Sequence, residues 1–78
     1  MQNSTNMRIL ELLRFLYEQT DENHPATVSD IIAHLNGKGI QAVRQTVYAD
    51  TNALIDAGID IVVVKSTQNQ YFMGSRLF

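Results

Sequence analysis

The feature that most constrains the fold is a helical pattern of apolar residues between positions 43 and 57, closed by Gly58. Apolar or methyl-bearing side chains recur along it at intervals of three and four residues: Val43, Val47, Thr51, Leu54 and Ile55. This spacing places them on one face of an α-helix, and such a face has to be buried. The helix is expected to end at Ala57, because Gly58 can adopt the left-handed backbone that a helix end requires.

The first two turns of this helix carry a different set of residues on the surface that faces away from the apolar side. The set consists of a guanidinium, an amide, two hydroxyls and a methyl group: Arg44, Gln45, Thr46, Tyr48 and Ala49. Side chains of this kind contact base edges and phosphates, and they lie at the end of the helix where a recognition helix meets DNA. The pattern therefore predicts a recognition helix over residues 43–57.

Two further helices are predicted before it. Over residues 7–18, apolar side chains cover more than half of a helical surface, which is typical of a central helix, and charged residues such as Arg8 occupy the remainder. Thr27 and Asp30 have the spacing of a capping box at the start of a second, short helix over 28–36. A turn with two glycines ends that helix.

After Gly58 the pattern changes from helix to strand. Residues 59–64 are mostly β-branched and predict a strand, 65–70 form a polar loop, and 71–73 predict a second strand, so the two make an antiparallel hairpin. Three helices followed by a hairpin is the element order of a winged helix-turn-helix, an α+β fold that is mainly α. The second and third helices would form the helix-turn-helix, and the hairpin would be the wing.

Length and composition favour one small globular domain over residues 7–78, after a polar N-terminal tail over 1–6. Cysteine is absent, which excludes disulfides and thiolate zinc sites and is compatible with the cytoplasm. No apolar run approaches the roughly 20 residues that span a bilayer, and the first residues do not resemble a signal peptide. We therefore expect a cytoplasmic domain with no membrane partner.

The net charge of -2 argues against nucleic acid, because DNA-binding domains are usually basic. The charge is unevenly distributed along the chain. Residues 1–30 contain two basic and five acidic residues, whereas residues 31–78 contain four basic and three acidic ones. Basic residues are thus on the side of the predicted recognition helix, but they are few, so DNA affinity should be modest and sensitive to salt.

The stretch R-Q-T-V-Y-A-D at 44–50, followed by L-I-D-A-G-I-D-I, resembles the N-terminal winged-helix domain of WYL-domain transcriptional regulators, which are similar to DeoR-type repressors. The resemblance covers about residues 7–78. It implies that the helix over 43–57 enters the major groove of double-stranded DNA, with no cofactor. In that family a ligand-sensing domain follows and the C-terminal part usually dimerises. The chain is therefore expected to be a fragment of a homodimeric regulator whose dimerising region is not present here.

The resemblance also implies roles for individual residues. It implies DNA contacts for Arg44, Gln45, Thr46 and Tyr48, and a wing role for the loop over 65–70. The remaining candidate DNA-binding residues are Ala49, Ser29, Lys38, Lys65, Gln68 and Asn69. Two positions depart from the common family pattern: Val43 stands where a capping Ser or Asp is usual, and Ala49 stands where many members have Arg.

Several of these residues have a purely structural alternative. Arg44 could be a solvated surface charge, and Tyr48 could pack on the edge of the core instead of contacting a phosphate. Asp50 would repel DNA, so we expect it to order a neighbouring amide or Arg. His24 and His34 lack the companions of a zinc site and are expected to be a surface-loop residue and a helix-face residue, respectively.

Three classes of function compete for this sequence. Sequence-specific DNA binding is the leading hypothesis. The alternative is a winged-helix protein–protein interaction module, in which the apolar hairpin and Leu77–Phe78 form the partner surface. An enzyme is not expected, because no pattern buries a pair of carboxylates or places a nucleophile in a strand–turn–helix elbow.

Overall fold

The computed structural model of the chain describes residues 4–74. Its elements in chain order are α1 (Ser4–Gln19), β1 (Ala26–Thr27), α2 (Val28–Gly37), α3 (Arg44–Asp56), β2 (Ile61–Val64) and β3 (Gln70–Met73). The described part is a mainly helical α+β domain with three helices and a three-stranded antiparallel sheet. The predicted helices and hairpin are confirmed, with ends shifted by no more than three residues. Residues 1–3 of the predicted tail and Leu77–Phe78 lie outside the described residues.

The sheet has the strand order β1-β3-β2. The predicted hairpin pairs Ile61 with Met73 and Val64 with Gln70, and the loop at its tip has five residues. Strand β1 adds to the other edge of β3 through Ala26, which is paired with Tyr71. The sequence did not predict β1, because two residues are too few to show a period. This strand ties the segment that enters α2 to the hairpin.

The end of α3 explains why β2 begins later than predicted. Gly58 has a φ of 98°, the left-handed conformation expected of it. The N–H of Ile59 then donates to the carbonyl of Leu54 at 3.0 Å, which is the long hydrogen bond of a Schellman cap. Because the N–H of Ile59 is used in the helix cap, Ile59 cannot begin the strand, and β2 starts at Ile61. Helix α2 ends in the same way at Gly39, whose φ is 79°.

The core lies between the inner faces of the helices and one face of the sheet. Its buried apolar residues are Leu12, Leu16, Ala26, Val28, Ile31, Leu35, Val47, Leu54, Ile61, Tyr71 and Met73. The predicted buried face of α3 is confirmed at Val47, Thr51 and Leu54. It is wrong at Val43, which is 59% exposed. Val43 is the N-cap residue and has an extended backbone, so helical spacing does not turn its side chain inward.

Helix α1 is the longest helix in the described part and packs on α2 and β3. Its apolar surface is wider than the surface its neighbours cover, because Met7 and Leu10 remain 46% and 65% exposed. Among the described residues, none of the helices combines the length and the apolar character that crossing a membrane requires.

Candidate nucleic-acid interface

The exposed face of α3 is polar but uncharged over its first three turns. Gln45, Ala49 and Asn52 are four and three residues apart, so they lie one above another on the side opposite the buried residues. All three are exposed, and Tyr48 beside them is 37% exposed. The structure therefore brings Gln45, Tyr48 and Ala49 together on one outward-facing surface, as the sequence predicted.

Arg44 lies at the edge of this surface, where α3 meets the start of α2. Its Nη2 donates to the hydroxyl of Ser29 at 3.4 Å, a long contact between two exposed side chains. Ser29 belongs to the first turn of α2, which Thr27 and Asp30 cap in the predicted capping box. Two candidate residues from different helices are thus adjacent. Most of the guanidinium donors of Arg44 stay available to a ligand.

Thr46 fixes the backbone at the start of α3. A valine side chain cannot accept a hydrogen bond, so Val43 is unable to cap the helix in the usual way. Instead the Thr46 hydroxyl accepts from the N–H of Val43 at 3.0 Å and donates to the carbonyl of Val43 at 2.8 Å. The single proton of this hydroxyl is therefore engaged inside the chain. Thr46 thus fixes the backbone of Val43, whose side chain lines an open surface pocket with Arg8, Gln41, Ala42 and Thr46.

Asp50 on the far side of α3 is paired with Arg8 of α1. The Nε of Arg8 donates to Oδ2 at 2.5 Å and its Nη2 donates to Oδ1 at 3.1 Å. The hydrogen bond to Asp50 raises the pKa of Arg8 above its ordinary value, against the opposing effect of burial. The expected structural role of Asp50 is confirmed. The sequence pattern placed Arg8 on the part of α1 outside its apolar surface. There the Arg8 side chain is only 16% exposed, because the Asp50 side chain is 6% exposed and needs a counter-charge.

Lys38, the exposed residue that follows α2, lies close to an acidic side chain of α1. His34 hydrogen-bonds Glu11, with 2.8 Å between Nε2 and Oε2. This bond is the main cause of the lowered pKa of Glu11; burial opposes it, and the charge of Lys38 assists it. The ring of His34 also stacks on Phe15 with centroids 4.4 Å apart. The positive charge of Lys38 is therefore partly compensated by Glu11. His34 joins α1 to α2 through its contacts with Glu11 and Phe15.

The remaining candidates form a second group at the tip of the β2–β3 hairpin. Lys65 and Gln68 are exposed, and Asn69 is half-buried. The hydroxyl of Ser66 donates to the backbone carbonyl of Gln68 at 2.9 Å, which braces the loop. This tip presents one cation and several neutral hydrogen-bonding groups.

Asn52 is a residue that the sequence interpretation missed. It lies seven positions after Gln45 and three after Ala49, so helical spacing alone could have placed it on the exposed face. Asn52 lies in the third turn of α3, beyond the two turns in which DNA contacts were predicted. Among residues 4–74, the structure has no group of three His, Asp or Glu side chains placed to hold a metal ion.

No family model, curated protein or solved structure matches this chain. The resemblance to the WYL-domain regulators is therefore a hypothesis that stands on the residues and their arrangement alone.

Proposed function

We propose that this chain is the winged helix-turn-helix DNA-binding domain of a transcriptional regulator. In this proposal α3 lies in the major groove of double-stranded DNA, and the loop between β2 and β3 is a wing that contacts the phosphate backbone. The domain would serve a longer, cytoplasmic regulator of the WYL type that dimerises through another region.

The observation that carries the proposal is the chemistry of the exposed α3 face. The face combines two amides, Gln45 and Asn52, with the Tyr48 hydroxyl, and Arg44 lies at its edge. Hydrogen-bonding side chains of this kind can contact base edges, and the major groove is wide enough for one α-helix. A helix that docks on another protein would be expected to expose aromatic or aliphatic side chains at most of these positions, whereas Tyr48 is the aromatic residue in this set and its hydroxyl is polar.

The arrangement of elements supports the same proposal. Helices α2 and α3 are joined by a short turn, and α3 buries Val47, Thr51 and Leu54 while its opposite side faces outward. The hairpin that follows packs on the same core and ends in an exposed polar tip with Lys65. A recognition helix and a wing can contact DNA only if a rigid core holds their polar side chains facing outward.

The distribution of charge sets the expected strength of binding. Arg8 is neutralised by Asp50 and the charge of Lys38 is partly compensated by Glu11, so Arg44 and Lys65 are the candidate residues whose charges are most fully offered to DNA. Each phosphate contact contributes to the salt dependence of binding. The proposal therefore implies a weak complex for the single domain, with tight binding only when two copies are joined.

The proposal is tested by selecting bound duplexes from a random-sequence pool with the 78-residue chain at two salt concentrations. We expect the pool to converge on a common sequence, and the affinity for that sequence to fall as salt is raised. Absence of any duplex binding at low salt by a folded sample would overturn the proposal. Binding without sequence enrichment would reduce it to a non-specific DNA-binding role.

A protein-interaction module is the second candidate, and the exposure of Met7 and Leu10 on α1 favours it. These residues are neighbours on the helix surface and form an apolar pair that no described element covers. In the DNA-binding proposal they have no role, so Leu10→Ser should leave duplex affinity unchanged. If the folded chain bound no DNA, this pair would become the leading candidate for a partner surface.

A further inference from the structure

The outward surface of α3 carries side chains that favour particular bases, in addition to being able to contact DNA in general. Over its first three turns its side chains are amides, a phenol and methyl groups, and the cation Arg44 lies on its edge. At the far end of the same face is Asp56, which would repel phosphates and so limits contact to the preceding turns. The groups that remain available are those suited to adenine and thymine.

Gln45 and Asn52 supply the hydrogen-bonding part of this bias. The amide of either residue type can bind the N6 and N7 atoms of adenine with two hydrogen bonds, one donated and one accepted. Seven residues of helix separate the two, which is about 10 Å along the axis. That distance corresponds to roughly three base-pair steps of B-DNA. The two amides can therefore contact the first and last base pairs of one short run.

Val43 and Ala49 supply the apolar part. The C5-methyl group of thymine is the apolar feature of the major groove, and small aliphatic side chains contact it. Val43 is 59% exposed, and its backbone is fixed because its N–H donates to the Thr46 hydroxyl and its carbonyl accepts from the same hydroxyl. Ala49 is exposed between the levels of Gln45 and Asn52. An aliphatic residue left in water at the start of α3 is accounted for if a methyl group covers it.

From this arrangement we infer that the domain selects an A·T-rich core of about four base pairs, bordered by one G·C pair under Arg44. Gln45 and Asn52 contact adenines, Val43 and Ala49 contact thymine methyl groups, and Thr46 is a positioning residue for Val43. The inference rests on the proposed function. It goes further by assigning the class of sequence that this face recognises.

The first test uses the duplexes selected by the 78-residue chain and replaces each thymine in turn with deoxyuridine. This change removes the C5-methyl group and leaves base pairing intact. We expect about a fourfold loss of affinity at one or two positions, the equivalent of one buried methyl group. Replacements outside the core serve as internal controls and should have no effect.

The second test combines the base change with Val43→Ala. This variant shortens the side chain without altering the capping by Thr46, and Ala is no better an N-cap than Val. Val43→Ala should weaken binding to the thymine duplex but not to the deoxyuridine duplex at the sensitive position. Leu10→Ala, on a surface away from α3, is the matched control and should weaken neither. Asn52→Asp should remove the preference for adenine at one position, by about fivefold or more.

The outcomes separate this inference from the proposed function. Selection of an A·T core with a methyl effect that Val43→Ala abolishes supports both. Sequence-specific binding with a G·C core, or with no response to deoxyuridine, overturns the inference and leaves DNA binding standing. Failure of the folded chain to bind any duplex overturns both.

Discussion

Arg8 on α1 and Asp50 on α3 form an ion pair with two hydrogen bonds between residues 42 positions apart in the chain. Their side chains are 16% and 6% exposed. The pair joins the central helix to the back of α3, so it fixes the angle at which the polar face of α3 is presented. It also removes from the exterior an anion that would repel phosphate.

Loss of one member of this pair should destabilise the domain strongly. Arg8→Ala leaves the Asp50 carboxylate buried without a partner and is expected to lower the free energy of unfolding by about 3 kcal/mol or more. Urea unfolding of the 78-residue chain measures the change. Replacing both members with apolar residues, Arg8→Met with Asp50→Leu, should recover most of the loss. A double variant as unstable as Arg8→Ala would show that the charges themselves are needed.

The buried face of α3 is tested at Leu54, which is 9% exposed. Leu54→Ala should lower the free energy of unfolding by roughly 2 to 5 kcal/mol, because a small core cannot compensate for the cavity. The matched control is Leu10→Ala at a residue that is 65% exposed, with an expected change within about 0.5 kcal/mol. Denaturant melts that gave less than half a kcal/mol for Leu54→Ala would contradict the assignment of the buried face.

Arg44→Ala should affect sequence preference and leave the fold intact. If the guanidinium makes two hydrogen bonds to a guanine, its loss should reduce binding by roughly 1 to 3 kcal/mol at one or two base positions. Titration against a set of single-base variants of the selected duplex measures this. Arg14→Ala is the control, because Arg14 is exposed on α1 and pairs with Glu18. An equal loss on every sequence would assign Arg44 to phosphate contact.

Lys65→Gln tests the wing. Lys65 is the cation at the β2 end of the hairpin tip, and a backbone contact positions the protein without reading sequence. The variant should therefore weaken all duplexes alike and reduce the slope of log affinity against log salt by about one unit. Binding isotherms at several salt concentrations supply the slope. An unchanged slope would remove Lys65 from the interface.

Glu11 should contribute a pH-dependent part of the stability. Its hydrogen bond with His34 lowers its pKa in the folded state below the ordinary 4.5. The stabilisation is therefore present above that value and is lost as the pH falls through the lower, folded pKa. Wild type should exceed Glu11→Gln by roughly 0.5 to 1 kcal/mol at pH values above 4.5. The two should converge as the pH falls through the folded pKa of Glu11. Unfolding curves across this range that stay parallel would exclude the contribution.

Much of the architecture was predictable because it depends on neighbours within a few residues. The Thr27–Asp30 capping box, the helix end at Gly58 and the β-branched run that forms β2 are set by local hydrogen bonds and backbone preferences. The polar side of α3 followed from the same local rule, since its buried side was visible as a spacing of three and four. The sequence by itself therefore determined the helices, the hairpin and most of the exposed face.

Only the tertiary structure decided features that depend on distant partners. Strand β1 exists because β3 offers it an edge more than 40 residues later, and Arg8 turns inward because Asp50 needs a counter-charge. Val43 is exposed because its backbone is extended and is fixed by Thr46. The spacing of hydrophobic residues does not predict this backbone conformation. Pairing and burial of this kind arise only when folding brings distant surfaces together. The local sequence around each of these residues therefore does not predict them.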